Sequence, residues 1–227
     1  MEAAYNLYPV YINFTGKPCL VVGGGKVAWR KTQRLLRAGA RVRIVSPKAI
    51  EPIEKLSEDG KLVWKKKPYV TEDLEGAFFV LAASNIRELN QRVAAEARFR
   101  GILANMADGV PGGDVFLPAS LASKNLRVAV SSSGKCPAFA KALRDVLREW
   151  LCPGFPLALE VLTALREAKL MCGVEQKKFV VEPSLAVMLA KLLERGRIQE
   201  AKETLEKSYP ELLHAIPPAL ERVTWQA

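Results

Sequence analysis

The sequence predicts an α/β protein with a Rossmann-type parallel sheet, followed by a small α+β segment and a helical C-terminal domain. Three observations carry this reading. Apolar strands alternate with amphipathic helices over residues 18–107. A glycine-rich turn, VVGGGKVA at 21–28, joins the first strand to the first helix. Beyond residue 152 only the helical period remains.

From Pro18 the run CLVVG reads as a buried strand, 26–37 as an amphipathic helix, Gly39 as its stop and RVRIVSP as a second strand. A helix over 49–58 follows, then KLVWKKK as an exposed strand, AFFVLAAS as a fully buried one, a helix over 86–100 and ILANMA as a further strand. The run Lys65 to Lys67 reads as a solvated edge-strand face that discourages edge pairing. After Asp108 the stretch GVPGGD is too rich in Gly and Pro for either period and reads as a connection. Two short strands, DVFLPAS and LRVAVSS, then lead through SSSGK into a helix over 137–150. CPGFP at 152–156 marks a second boundary, and helices follow over 157–171, 183–195, 198–206 and from Pro210 to the end.

The expected organisation is a Rossmann domain at 1–113, a dimerisation segment at 114–151 and a helical domain at 152–227. The middle segment, under about 40 residues, cannot bury a core alone and is expected to pack on a second copy.

Of the 227 residues, 49% are hydrophobic, enough for a sizeable core. No run reaches the roughly 18 apolar residues of a membrane span, and MEAAYNLYPVYINF lacks the pattern of a signal peptide, so a soluble cytoplasmic protein is expected. Cys19, Cys136, Cys152 and Cys172 are scattered, with His214 the single histidine, which argues for reduced thiols and no metal site. His214 is given no role. Residues 1–150 carry 24 Lys+Arg against 14 Asp+Glu, whereas 151–227 carry ten of each, so the net charge of +10 lies in the first two thirds. Such a field attracts a polyanion. Nucleic acid is disfavoured, because no interleaved aromatics or docking motif accompany the charge.

Gly23, Gly25 and Ala28 form G-x-G-x-x-A. In such a turn the first glycine permits the tight bend, the second lets backbone approach a pyrophosphate, and the small third residue lets the helix pack closely. The helix start offers unpaired N–H groups to phosphates. These residues point to a dinucleotide. The acid that normally holds the ribose hydroxyls at the end of the second strand is replaced by Val45-Ser46-Pro47-Lys48. Ser46 can still hydrogen-bond a ribose, and Arg43 or Lys48 leave NADP open beside NAD. Asp108 falls just past the fifth strand, at the sheet edge where ligands bind, and is read either as a turn former or as a functional acid. Ser131 to Lys135 bring hydroxyls and an ammonium to a helix start, an anion site or an ordinary N-cap by Ser133.

Taken together, the stretch from YPVYINFTGKPCLVVGGGKVAWRK to RVRIVSP, with AFFVLAASNIRELNQRVAAEA, NMADG, FLPAS and LRVAVSSSGKCPAFAKALRDVL, resembles the precorrin-2 dehydrogenase / sirohydrochlorin ferrochelatase family, which includes the N-terminal part of siroheme synthases. The resemblance runs from about Tyr8 to Trp150. It implies NAD-dependent oxidation of precorrin-2 to sirohydrochlorin, in some members followed by insertion of ferrous iron, and a homodimer whose small central segment interlocks. The family's catalytic aspartate falls on Asp108, within Asn105-Met106-Ala107-Asp108. Its cofactor positions fall on Gly23, Gly25, Lys26, Val27, Pro47 and Lys48, and a serine by the tetrapyrrole site falls on Ser132. The GVPGGD that follows Asp108 departs from the family pattern.

On this reading the nicotinamide lies near Ser84, Asp108 takes the proton lost with the hydride, and Asn105, Ser132, Ser133 and Lys135 are candidate contacts to a substrate with eight carboxylates. The rival reading is a non-catalytic NAD(H)-sensing regulator, which binds cofactor without turnover.

Overall fold

The computed structural model describes residues 7–107, 113–151, 153–171 and 179–224. Asp108, Cys152 and Cys172 lie outside the described residues. The chain divides into two compact units, 1–117 and 118–227.

The first unit is built on five parallel strands: β1 (Pro18–Val22), β2 (Arg41–Val45), β3 (Val63–Lys65), β4 (Phe79–Ala82) and β5 (Leu103–Met106), in the order β3-β2-β1-β4-β5. Leu20 lies opposite Arg43 on one side and Val80 on the other. Alternate side chains serve opposite faces, as the pleat requires. Cys19, Val21, Val42, Ile44, Phe79 and Leu81 pack with Ala28 and Leu35 of α1 (Lys26–Arg37) and Ile53 of α2 (Glu51–Glu58). Leu20, Val22, Val80 and Ala82 pack instead with Val93, Ala94 and Ala97 of α3 (Arg87–Phe99). Both faces of the sheet are covered, so the inner strands read as continuous apolar runs. The buried Cys19 thiol is pushed up to about 12 by desolvation, which leaves it inert near neutral pH.

The edge position of β3 agrees with the reading of the lysine run, and the structure adds a second role to it. The lysine run at 65–67 is not merely a solvated face. Asp73, in the 3-10 turn Thr71–Leu74, is buried, and its carboxylate takes a 2.6 Å hydrogen bond from Lys67 and a 3.7 Å ion pair from Lys65. The Val70 N–H donates to the same carboxylate at 3.1 Å. Lys66 instead places its ammonium 5.6 Å from the centroid of the Trp64 ring.

The second unit begins with an antiparallel hairpin, β6 (Ala119–Ser123) and β7 (Leu126–Val130), and α4 (Pro137–Trp150). β6 starts after Pro118 rather than at Asp114, since proline cannot donate to a ladder. Then α5 (Gly154–Met171), α6 (Pro183–Glu194), α7 (Ile198–Ser208) and α8 (Ile216–Thr224) enclose their own core, centred on Val161, Leu165, Leu189, Leu205 and Ile216. The starts of α5 and of the last helix also differ from expectation. α5 begins inside CPGFP, because Pro156 sits in a first turn where no N–H is needed. The last helix is split into a 3-10 turn, Pro210–Leu212, and α8, whose two prolines likewise occupy its first turn. No described helix is long and apolar enough to cross a membrane.

Burial alone would raise the Asp73 carboxyl, but the hydrogen bonds from Lys67 and Val70 and the charge of Lys65 outweigh it and hold it below the usual carboxylate range. A carboxyl depressed on folding stabilises above its unfolded pKa, and that contribution disappears as pH falls through the folded value. Asp73→Asn is therefore expected to lower stability by about 1–3 kcal/mol near neutral pH. Thermal unfolding followed against pH should bring the variant and the parent together in acid.

Candidate functional site

The strand order reverses between β1 and β4, and in open α/β sheets ligands bind in the crevice at the carboxyl ends of such strands. A cleft of about 900 Å³ opens there, entirely within the first unit. Its floor is the glycine turn. Gly23 has φ +126°, and its N–H donates to the Val45 carbonyl at 3.0 Å. A Cβ on Gly23 would stand 2.7 Å from the Ala83 carbonyl carbon and 2.9 Å from the Ser84 nitrogen. Both are backbone atoms that cannot swing away.

Gly24 is equally constrained, and the fingerprint had treated it as a free position. A Cβ there would overlap the Lys48 carbonyl and lie 2.8 Å from the Ala49 Cα. The loop leaving β2 thus rests on the turn leaving β1, fastened by the Ile50 N–H to the Gly24 carbonyl at 2.9 Å. Gly25 differs: it is exposed, it caps α1 with extended backbone, and a Cβ would meet nothing within 4 Å. It is the turn's open side. Ala28 is fully buried against the sheet.

The cleft brings together Gly23, Gly25, Lys26, Val27, Ser46, Pro47, Lys48 and Ser84, eight residues proposed from sequence for a cofactor. The Ser46 hydroxyl donates to the Lys48 carbonyl at 2.6 Å and so shapes the loop. Arg43, the other candidate for a phosphate contact, is elsewhere: its guanidinium donates to the backbone carbonyls of Asp73 (2.6 Å) and Glu75 (3.2 Å), and it does not line the cleft.

Sequence reasoning missed three residues here. Asn90 of α3, 2% exposed, accepts the Ser84 N–H at 2.9 Å and donates to the Ser84 carbonyl at 3.0 Å, holding the turn after β4. Tyr69 and Arg92 also line the cleft. The Tyr69 hydroxyl donates to Glu96 at 2.7 Å, and the Arg92 guanidinium lies 5.5 Å from the Tyr69 ring and 3.6 Å from Glu96. Burial first, then the Glu96 hydrogen bond, keeps the phenol protonated well above its ordinary range. Among the described residues lining the cleft, Lys26, Lys48 and Arg92 are cations and none is a carboxylate.

Asn105 does not line the cleft. Its amide accepts from Lys31 of α1 at 3.0 Å and donates to the Val115 carbonyl at 2.6 Å. Ala107, next to Asp108 in sequence, does line it. In the second unit Ser132, Ser133 and Lys135 form one turn, where the Lys135 N–H donates to the Ser132 carbonyl and the Cys136 N–H to the Ser132 hydroxyl, both at 3.0 Å. The N-cap of α4 is Cys136, so Ser133, at φ +52°, is not the cap. Among the described residues no group of three or more His, Cys, Asp or Glu is arranged to hold a metal ion.

A family model described as putative NAD(P)-binding matches residues 10–119. Siroheme synthase 1 of Serratia proteamaculans (strain 568) is 36% identical over 202 residues, covering 88% of this chain and 42% of that protein. Siroheme synthase of Ectopseudomonas mendocina (strain ymp) is 32% identical over 218 residues, covering 95% and 46%. The chain thus spans under half the length of these curated relatives. The solved structure of SirC, precorrin-2 dehydrogenase, superposes with a TM-score of 0.64 at 25% identity, covering 88% of this chain and 98% of that one. Matches of 202 residues or more reach past Trp150 into the helical region, further than the sequence motifs alone carried the resemblance.

Gly24→Ala is expected to cost about 1–3 kcal/mol, the range for overpacking a filled site. Gly25→Ala should cost no more than about 1 kcal/mol, as for an N-cap glycine replaced by alanine. Denaturant unfolding of the two variants side by side distinguishes the closed position from the open one.

Proposed function

We propose that the chain belongs to the family that takes in precorrin-2 dehydrogenase and the matching part of the siroheme synthases, and that it oxidises precorrin-2 to sirohydrochlorin with NAD. The single observation that carries this reading is the cleft: a positive-φ glycine turn and an uncovered helix start, at the switch point of a parallel sheet, with cations and no carboxylate on the described walls. That chemistry fits a dinucleotide pyrophosphate.

Gly23, Gly25, Lys26 and Val27 would hold the pyrophosphate. Ser46, Pro47 and Lys48 would hold the adenosine ribose, and Ser84 would face the nicotinamide end. NAD, when bound, takes up a hydride, so that precorrin-2 and NAD⁺ give sirohydrochlorin, NADH and a proton. Asp108 is the acceptor of that proton, and Asn105, Ser132, Ser133 and Lys135 are the substrate-side residues. The basic excess of residues 1–150 suits a substrate bearing eight carboxylates. Relatives named siroheme synthase favour a further step, in which ferrous iron is a substrate: sirohydrochlorin gives up two pyrrole protons as the metal enters, with Asp108 again the acceptor.

The domains are 1–113 for the cofactor, 114–151 for dimerisation and 152–227 for the helical part, in a cytoplasmic homodimer. What supports the dimer is α4, which exposes Phe139, Leu143, Val146 and Trp150 at helical spacing, by 37–62%.

Purified protein given precorrin-2 and NAD should produce sirohydrochlorin absorbance together with NADH, and Asp108→Ala should lower kcat by about 10²-fold or more. Cofactor binding without product would favour the NAD(H)-sensing regulator. Sirohydrochlorin with ferrous iron, tried on the same pair of proteins, tests iron insertion: equal rates would remove Asp108 from that step. Val146→Glu should shift sedimentation from dimer toward monomer, and an unchanged dimer would put the interface elsewhere.

A further inference from the structure

One end of the cleft is made by residues that neither the glycine fingerprint nor the end of β2 contains. Pro68 and Tyr69 follow β3, and Leu89 and Arg92 lie on α3. β3 pairs with β2 on the side away from β1, so Pro68 and Tyr69 stand beyond Val45, Ser46, Pro47 and Lys48, and Arg92 reaches Tyr69 from α3, its guanidinium 5.5 Å from the ring. The end of β2 is where Rossmann sheets receive the adenosine half of a dinucleotide. Its usual anchor, a carboxylate for the ribose hydroxyls, is absent here, and the Lys48 loop offers none.

The wall is ordered by its own contacts. Tyr69 is 6% exposed, with its ring in the apolar cluster beneath α3 and its hydroxyl donated to Glu96. Glu96 also pairs with Arg92, one helical turn away, and the guanidinium is drawn over the Tyr69 ring. These contacts restrain a long side chain that is still 56% exposed and lines the cleft. A guanidinium so restrained presents a flat cation that stacks well on a second π system. Adenine is such a system, and the neighbouring Pro68 and Leu89 supply the apolar surroundings a base needs.

We infer that Arg92 positions the adenosine half of the dinucleotide, lying between Tyr69 and the adenine and serving in place of the missing β2 carboxylate. The inference rests on the reading of the cleft as an NAD site. Arg92 is a positioning residue at the end remote from the chemistry. Its loss should therefore weaken cofactor binding and leave turnover alone.

The test measures equilibrium binding of NAD and of ADP-ribose, which lacks the nicotinamide, to the full chain and to Arg92→Ala, Arg92→Lys and Glu96→Gln. Arg92→Ala should weaken both ligands about tenfold, raising KM for NAD by the same factor with kcat unchanged. Arg92→Lys keeps the charge but not the plane, and should recover less than half of the lost binding energy. Glu96→Gln removes the ion pair and leaves the guanidinium in place, so it should cost under about threefold. ADP-ribose bound within twofold of the parent by a folded Arg92→Ala protein would overturn the role of Arg92 while leaving the cleft an NAD site. A parent protein that binds neither ligand would overturn the reading of the cleft itself, and this inference with it.

Discussion

Backbone lies directly on backbone where β1 ends, and the geometry of the cleft depends on that contact. Gly23 meets the carbonyl end of the turn after β4, and Gly24 meets the loop after β2. The ends of β1, β2 and β4 are thereby drawn together around one small turn. Any side chain at either glycine would act as a spacer between main chains, and neither neighbour can yield by changing a rotamer. The helix start above the turn is held at a fixed height for the same reason, with Ala28 packed flat on the sheet. Gly25 escapes the constraint, which is why the turn has one open side. Asn90 completes the arrangement by tying Ser84 to α3, so the wall opposite the turn is set by side-chain hydrogen bonds rather than by close packing.

The charges in the first unit follow from this geometry. Asp73 is buried, but it is spent on Lys65, Lys67 and the Val70 N–H, and Arg43 is spent on two backbone carbonyls. Both groups steady the chain between β3 and β4, the segment that carries Tyr69 to the cleft. The cations on the described cleft walls are those which structural pairing has not drawn away from it. Glu96 approaches this region, but it is occupied by Tyr69 and Arg92 and does not line the cleft. A field that is positive at a helix start concentrates phosphates more effectively than the same net charge spread over the surface.

Much of this was legible in the sequence, and the failures share a cause. The strands and helices of the first unit were readable because their periodicities are strong, and the fingerprint located Gly23, Gly25 and Ala28 because it records local backbone needs. It passed over Gly24, whose constraint comes from Lys48, a contact only the folded sheet creates. The lysine run reads as no more than a solvated face because its buried partner, Asp73, sits on a different element. Arg43 and Arg92 exchanged places for the same reason: which arginine faces the cleft depends on strand order and on which face α3 covers, and neither is written in local spacing. Ser133 resembled an N-cap by type, but the left-handed backbone at Ser133 and Gly134 delays the helix to Cys136.

The second unit presents the opposite balance. Its helices α5 to α8 close around a contiguous apolar core, whereas β6, β7 and α4 contribute Leu121 and Ala140 as their buried hydrophobic side chains. On α4 the residues at 139, 143, 146 and 150 recur at intervals of four, three and four, one stripe of the helix, and all face outward. A hairpin and one helix leave too little buried area to hold such a stripe in water at no cost. If a second copy covers it, the same burial that stabilises this segment also drives association. The segment's order would then depend on protein concentration, while the sheet and the four-helix core, each with its own buried interior, would not.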